Sequence, residues 1–177
     1  MTTTTSRIIE ELADREAIRE CQYRLARGID RLDAAMLRTA YWPDAHIDYG
    51  GMDFAGTPED YIGWAFPRIG TMNQIQHFLS NMLMTIRGSS ADAEIYYYII
   101  QNVNLTEGPR DVIGAGRYLD RLEKRGEEWR IVERLVVTDS FREFADSADW
   151  SNGMMGFKVE PGGRYPDDAS YSKIRIE

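Results

Sequence analysis

The chain has 177 residues, of which 43% are apolar and 28% are charged, and its formal net charge is −8 at pH 7. This composition predicts one globular domain with a sizeable core, and the acidic balance disfavours nucleic acid or an anionic membrane surface as a partner. The single cysteine, Cys21, excludes an intrachain disulfide. No secretory signal or membrane-spanning apolar run is recognisable, so we expect a cytoplasmic protein.

The first elements along the chain are predicted to be helices. Residues 1–5 form a polar, Thr-rich tail, and Ser6 is a suitable cap for a helix that begins near Arg7. Apolar residues then recur at helical spacing. Asp14 could cap the chain again, which would divide this region into a short helix and a long helix over residues 14–31.

The remaining elements predict an antiparallel sheet. A short helix around residues 34–40 and the extended segment AHIDYG come first, and Thr57 before Pro58 then indicates the start of another helix. Four β-rich stretches follow, joined by short polar links that contain Gly: QIQHFLSNMLMTI, ADAEIYYYIIQNVNL, RDVIGAGRYLDRLEK and EEWRIVERLVVTDSF. Helices first and a meander second indicate an α+β fold, with the helices packed on one face of a curved sheet.

The C-terminal residues form a different kind of segment. We place the folded domain at residues 1–142 and an irregular extension at residues 143–177. The extension is too rich in large apolar groups for a disordered chain, and its Gly and Pro residues prevent a long helix or a regular strand. We therefore expect it to cover the mouth of a pocket; packing on the outer face of the sheet is the alternative.

Two residues are candidates for acid–base chemistry. Asp30 falls at the end of the long predicted helix, where an acidic group opposes the macrodipole, and it shares a helix face with Tyr23 and Arg27. His77 lies on the apolar face of a predicted strand, and histidine is the commonest general base. The alternatives are a surface Asp30 paired with an arginine and a buried His77 with a structural role.

Tyrosines provide candidate contacts for a substrate. Tyr49 shares a strand face with apolar neighbours, and Tyr98 shares a face with Asn102; a tyrosine can line an apolar pocket and still offer a hydrogen-bond donor. Ordinary sheet packing is the alternative for the YYY run. His46 is predicted to point outward, and Cys21 to lie in the core.

The sequence contains no pattern for other common chemistries. We find no nucleophile elbow, dinucleotide or phosphate loop, or cluster of metal ligands, so neither a cofactor nor a metal is expected. What remains is an Asp–His pair with hydroxyl donors nearby, a set that suits the removal and return of a proton.

A family resemblance rests on the frame "ADREAIRECQYRLARGIDRLD…LRTAYWPDAHIDYGG…TMNQIQHFLSN". This frame resembles the SnoaL-like, nuclear-transport-factor-2-like superfamily, in the branch of scytalone dehydratase, bile acid 7α-dehydratase and hexachlorocyclohexane dehydrochlorinase, over roughly residues 7–142. The resemblance implies a cystatin-like cone, in which N-terminal helices and a strongly curved antiparallel sheet enclose one deep pocket. It also implies a catalytic pair at Asp30 and His77 and a pocket tyrosine at Tyr49.

The chain departs from each of these relatives at one position or more. Ile29 stands where scytalone dehydratase has a Tyr, and Asn102 corresponds approximately to the second pocket His of that enzyme. Leu25 stands where the dehydrochlorinase has a Lys. The resemblance therefore implies the general base of the branch without the leaving-group machinery of any one of these enzymes.

The resemblance implies a cofactor-independent lyase for a hydrophobic, aromatic or cyclic small molecule. Dehydration is favoured, and retro-aldol loss of a small aldehyde or isomerisation remains open. The expected catalytic residues are His77 and Asp30, and the expected substrate contacts are Tyr49, Asn102, Tyr23 and Tyr98. The alternatives are a noncatalytic ligand-binding module and an accessory subunit of a ring-hydroxylating oxygenase. An apolar exterior strand, EIYYYII, predicts a homo-oligomer, and the resemblance favours a trimer over a dimer.

Overall fold

The helices come first in the chain and the long strands follow, in the order that the sequence predicts. The computed structural model describes residues 2–145, 151, 154–159 and 161–174. Its helices are α1 (Thr2–Arg31), α2 (Ala34–Arg38), α3 (Pro58–Ile69) and α4 (Ser170–Lys173), with a 3-10 turn at Gly50–Met52. Its strands are β1 (Tyr41–Asp48), β2 (Ala55–Gly56), β3 (Gln74–Arg87), β4 (Ser90–Leu105), β5 (Gly108–Arg125) and β6 (Glu128–Ala145).

Helix α1 is continuous, so the predicted start near Arg7 and the predicted division at Asp14 are both wrong. The Asp14 carboxylate does not cap a helix, because its Oδ1 accepts hydrogen bonds from Lys124 Nζ at 2.9 Å and from Trp129 Nε1 at 2.8 Å. These bonds attach the middle of the helix to the sheet. The following turns bury an apolar stripe in the core: Ile18, Cys21, Leu25 and Ile29.

The cap of α3 agrees with the prediction from the sequence. The Thr57 hydroxyl accepts a hydrogen bond from the Asp60 backbone N–H, and the Asp60 carboxylate accepts one from the Thr57 backbone N–H. This reciprocal arrangement satisfies two backbone donors at the start of the helix. It fixes α3 across the sheet, where the helix closes one side of the interior.

The sheet has six strands in the order β2-β1-β6-β5-β4-β3. Strands β3 to β6 form the predicted antiparallel meander. β1 adds to it by pairing in parallel with β6, a crossover that the sequence pattern does not reveal. β-Bulges interrupt the β3–β4 and β5–β6 ladders, and bulges increase local bending and twist. The sheet is curved but not closed, and β3 is one of its edges.

The core lies between the concave face of the sheet and helices α1 and α3. It also encloses a charged group, the buried Arg134 network, formed by Arg134, Asp120 and Gln22. Arg134 Nε donates to Asp120 Oδ1 at 2.7 Å, and Arg134 Nη2 donates to Asp120 Oδ2 at 2.5 Å and to Gln22 Oε1 at 2.6 Å. The guanidinium also stacks over the Tyr118 ring, with Cζ 3.9 Å from the ring centroid. The network joins α1 to two central strands.

Residues 161–174 of the extension pack against the C-terminal end of α1. The Tyr165 N–H donates to the Arg31 carbonyl at 2.7 Å, and the Tyr171 hydroxyl donates to Asp33 Oδ2 at 2.8 Å. Met154, Met155 and Phe157 are exposed, and Trp150 lies outside the described residues. Among the residues described, no helix is long and apolar enough to cross a bilayer.

Candidate active site

Asp30 and His77 form a buried hydrogen-bonded pair. Asp30 lies in the last turn of α1, and His77 lies near the start of β3; their side chains are 9% and 6% exposed. His77 Nδ1 is 2.6 Å from Asp30 Oδ1. Arg27 and Arg31, the alternative partners for Asp30, instead bind residues of the extension. The structure therefore brings together the two residues that the sequence predicts to act as a pair.

The Asp30 carboxylate also binds the backbone of the strand that carries the histidine. The His77 N–H donates to both carboxylate oxygens, at 3.2 and 3.1 Å. A carboxylate only accepts hydrogen bonds, so the imidazole carries a proton on Nδ1, and in the neutral ring the lone pair is then on Nε2. Within the described part of the chain, Nε2 makes no hydrogen bond, and it is the atom of the ring that is available to take a proton from a ligand.

His77 lies in the wall of a cavity of about 510 Å³ between the sheet, α3 and the segment after β1. The lining is mostly apolar and aromatic, and its members are Tyr49, Met52, Tyr61, Trp64, Ala65, Arg68, Ile69, Met72, Ile75, His77, Tyr97, Ile99, Gln101, Val112, Gly114, Tyr118, Val136, Thr138 and Phe141. A volume of this size accommodates a small organic ligand. Met52, Arg68 and Phe141 are exposed members and mark the opening.

Four tyrosines contribute hydroxyls to the wall, beside the polar side chains of His77, Arg68, Gln101 and Thr138. The Tyr49 and Tyr61 hydroxyl oxygens are 2.9 Å apart and share a hydrogen bond, and the two rings stack with centroids 5.3 Å apart. Burial raises the pKa of Tyr49, Tyr61, Tyr97 and Tyr118. These phenols therefore stay protonated at neutral pH, the form in which a hydroxyl can donate a hydrogen bond.

Tyr97 reaches its position because the neighbouring strand has a glycine. Its hydroxyl lies 3.3 Å from the Val137 carbonyl oxygen and 3.3 Å from Thr138 Oγ1. A Cβ at Gly116 would lie 2.6 Å from that hydroxyl oxygen, closer than packed atoms allow. Gly116, the second glycine in VIGAGRY, thus makes room for Tyr97 at the cavity wall.

Three of the four predicted substrate contacts lie outside this cavity, and Tyr49 is the one that lines it. Tyr23 is 52% exposed on α1, and Tyr98 is 41% exposed on the convex face of the sheet. Strand alternation places Tyr97, not Tyr98, on the concave face. Asn102 is buried, but its amide is bonded to Asn73 at 2.7 Å and to Asp111 at 2.8 Å.

Asn102 therefore connects the start of β3 to β4 and β5, and it is not available to a ligand in the cavity. None of the described residues from residue 143 onward lines this cavity, and the cover over its mouth stays a prediction. Residues 161–174 bind the end of α1.

His46 and Cys21 take the positions predicted from the sequence. His46 is exposed on β1. Cys21 is fully buried, its Sγ donates to the Ala40 carbonyl oxygen, and burial raises the pKa of the thiol to about 12. A thiol with this pKa is not a nucleophile at neutral pH.

Several wall residues were not predicted. Tyr61 and Trp64 are three residues apart on α3, a spacing that puts them on one helix face, and Tyr97 shares strand parity with the buried Ile95. Both signals are present in the sequence, but which face borders a cavity is a tertiary property. Among the described residues, no three His, Cys, Asp or Glu side chains are grouped as metal ligands.

Several solved structures share the fold of this chain. A hexachlorocyclohexane dehydrochlorinase, LinA type 2, is 20% identical, with a TM-score of 0.71 over 82% of this chain and 99% of its own. A scytalone dehydratase-like protein from Novosphingobium aromaticivorans is 20% identical, with a TM-score of 0.66 over 78% and 92%. A candidate aromatic ring hydroxylase from the same species is 19% identical, with a TM-score of 0.66 over 75% and 94%.

At these identities the solved structures show a shared fold. No curated protein matches the chain. The family model described as the SnoaL-like domain matches residues 10–135, a range that contains most of α1, both Asp30 and His77, and most of the meander. The chain therefore belongs to the SnoaL-like domain family.

Proposed function

We propose that this protein is a cofactor-independent lyase that eliminates a small leaving group from a hydrophobic cyclic or aromatic compound. The observation that carries the proposal is the 2.6 Å hydrogen bond between Asp30 and His77, which leaves the second ring nitrogen free in the wall of an apolar cavity. A base within reach of a bound ligand is the first requirement of proton abstraction. The proposed roles of His77 as the base and of Asp30 as its partner both depend on this hydrogen bond.

In the proposed reaction, His77 Nε2 takes a proton from a carbon of the substrate. The electron pair of that C–H bond becomes the new double bond, and the bond from the adjacent carbon to the leaving group breaks. In a dehydration, the imidazolium returns the proton to the departing oxygen, which leaves as water. Asp30 holds the ring in one tautomer and stabilises the imidazolium while it exists.

The cavity lining indicates the kind of substrate. Tyr49, Tyr61 and Trp64 of the wall form one aromatic cluster with Phe54, and flat or cyclic apolar molecules pack well against such rings. The paired hydroxyls of Tyr49 and Tyr61 can donate to a carbonyl or to a departing oxygen. They support dehydration over the alternatives, while retro-aldol cleavage or isomerisation would use the same base.

Two solved relatives support an elimination. One is named for dehydrochlorination and the other for its likeness to scytalone dehydratase. Leu25, which stands at the predicted place of the dehydrochlorinase lysine, is buried in the core of this chain. We therefore infer that the departing group is assisted from the tyrosine side of the cavity.

A turnover assay tests the proposal. The substrates are cyclic and aromatic compounds that carry a hydroxyl or a halide beta to an acidic C–H bond, and a new conjugated double bond is detected by its ultraviolet absorbance. We expect elimination by the wild-type protein without added metal or redox cofactor, and loss of it in His77→Gln. In D₂O, deuterium at the acidic position would report proton abstraction even where elimination is slow.

The alternative function is that of a noncatalytic ligand-binding module or of an accessory subunit of a ring-hydroxylating oxygenase, and the second of these fits a relative that is named as a candidate aromatic ring hydroxylase. Calorimetry would show that such a protein binds some of the cyclic and aromatic compounds used in the turnover assay. Neither elimination nor deuterium incorporation would follow. That combination would contradict the lyase and favour the alternative function.

We also propose that the protein is a homo-oligomer, with a trimer favoured over a dimer. On the convex face of β3 and β4, Phe78 pairs with Tyr98, and Tyr96 and Ile100 extend the same apolar patch; all four are at least 37% exposed. A patch of this kind is a liability on a monomer.

Light scattering at micromolar concentration measures the oligomeric state. We expect about 61 kDa, the mass of three chains of 20.4 kDa. A mass of 20.4 kDa would contradict the oligomer, and about 41 kDa would replace the trimer with a dimer. Phe78→Lys should lower the mass, because it places a charge in the patch, and Arg87→Lys, on the same strand, should not.

A further inference from the structure

The C-terminal end of α1 depends on the extension for two of its hydrogen bonds. The last four carbonyls of a helix lack partners within the helix. In α1, the Gly28 carbonyl accepts from the Asp33 N–H at 2.8 Å, and the Ile29 carbonyl accepts from the Leu32 N–H at 3.2 Å. The other two carbonyls, of Asp30 and Arg31, accept from residues of the extension.

Arg164 provides the bond to the Asp30 carbonyl and also reaches a second element. Its Nη1 donates to the Asp30 carbonyl oxygen, and its Nη2 donates to the Met72 carbonyl oxygen at 3.4 Å. Met72 lies in the segment that leads from α3 into β3, five residues before His77. One guanidinium thus bridges the two parts of the backbone that carry the catalytic pair.

The segment around Arg164 is itself held in place. Asp168 lies 3.6 Å from Arg31 Nε and accepts the Gly163 N–H at 2.7 Å. The Tyr171 hydroxyl, which donates to Asp33 as described, is 2.8 Å from Arg27 Nη1. The Arg164 guanidinium therefore projects from a segment with several independent attachments to α1 and to the turn that follows it.

We propose that Arg164 is a positioning residue for the catalytic pair. It does not line the cavity and acts through the backbone: it holds the last turn of α1 against the start of β3, and so sets the separation of Asp30 and His77. The inference rests on the proposed function for its catalytic consequence, because a displacement of about 1 Å can cost about 100-fold in rate. The effect of Arg164 on the separation of Asp30 and His77 can be tested without a substrate.

The test measures the His77 ring directly by NMR in the full-length protein without ligand. The sequence has only two histidines, and His46→Gln assigns the signals. A proton on Nδ1 that is bonded to a buried carboxylate exchanges slowly with solvent, and its exchange rate reports local opening. The variant is Arg164→Met, which keeps the aliphatic stem, and the matched control is Arg121→Met, a surface arginine that pairs with Glu133.

We expect Arg164→Met to speed Nδ1–H exchange about tenfold or more, because a charge-assisted bond to each of two carbonyls is lost. Its kcat should fall by a similar factor with little change in KM, and Arg164→Lys, which can reach one carbonyl, should recover part of both. Exchange that is unchanged in Arg164→Met, or equally fast in Arg121→Met, would overturn the inference. If Arg164→Met does not fold, Arg164→Gln replaces it, because its side chain is too short to bridge both carbonyls. Unchanged exchange in Arg164→Gln, or equally fast exchange in Arg121→Met, would then overturn the inference.

The proposed function and this inference can fail separately. Faster exchange in a protein that turns over no substrate would retain the positioning role and remove the lyase. Turnover that depends on His77, with exchange unaffected by Arg164→Met, would retain the lyase and remove the positioning role.

Discussion

His77→Ala and Asp30→Asn are each expected to lower kcat by about 100- to 10,000-fold, the range typical of a general acid–base group. His77→Ala removes the base. Asp30→Asn keeps an oxygen that can accept from the His77 N–H and from Nδ1–H, but it removes the negative charge that stabilises the imidazolium. Steady-state kinetics measure kcat on any substrate that the turnover assay identifies. Thermal unfolding of each variant measures its melting temperature.

The matched control for this prediction is the other histidine. His46 is exposed on β1 and does not line the cavity, so His46→Ala should keep wild-type kinetics. Melting temperatures near wild type are expected for all three variants. If His77→Ala unfolded the chain while any protein that remained folded kept its activity, the buried histidine would have a structural role and the proposed mechanism would be wrong.

Arg134→Met should lower the free energy of unfolding by about 3–5 kcal/mol, the usual cost of removing one partner from a buried ion pair. The side chains of Arg134 and Asp120 are 1% and 0% exposed, so the substitution leaves a carboxylate in the core with only the Gln22 amide, whose Nε2 lies 2.7 Å from Asp120 Oδ2. Urea unfolding of each variant measures the loss.

Two further variants show whether burial is the cause. Arg117 pairs with Glu94 and Asp139 at 3.0 and 2.9 Å, but on the surface, and Arg117→Met should lower the free energy of unfolding far less than Arg134→Met does. Adding Asp120→Leu to Arg134→Met should restore much of the loss, because no unpaired charge then remains. Equal losses in Arg134→Met and Arg117→Met would contradict this explanation.

Asp30 and His77 could be predicted from the sequence because each obeys or breaks a local rule, the charge preference at a helix end or the alternation of a strand. Asp30 is unfavourably placed at a helix C-terminus, and that departure singled it out. Alternation along QIQHFLSNM placed His77 on the apolar face of β3, where the structure has it. The family resemblance then predicted the α+β cone, and turn chemistry placed the links of the meander.

Other features depend on contacts that spacing does not encode. The helix-capping preference of Asp14 is overridden by bonds to Lys124 and Trp129, which are more than 100 residues away in the chain. Strand alternation separates Tyr97 from Tyr98, but it cannot say which of the two faces borders the cavity. Arg134 reads as a surface charge in the alternating run RIVERLVV, and only the position of Asp120 on the adjacent strand explains its burial.

The placement of His77 on one wall of the cavity has a stereochemical consequence. Its ring is bonded to a carboxylate that also accepts the backbone N–H of the same residue, so the ring and the strand share one anchor at the edge of the sheet. The hydroxyls of Tyr49 and Tyr61 belong to a different part of the wall, formed by α3 and the chain after β1. For the proposed lyase, a base, a donor and the apolar wall between them would give a substrate three fixed contacts, and three contacts distinguish two mirror-image molecules, whereas two do not. We therefore expect the proposed reaction to prefer one enantiomer of a chiral substrate.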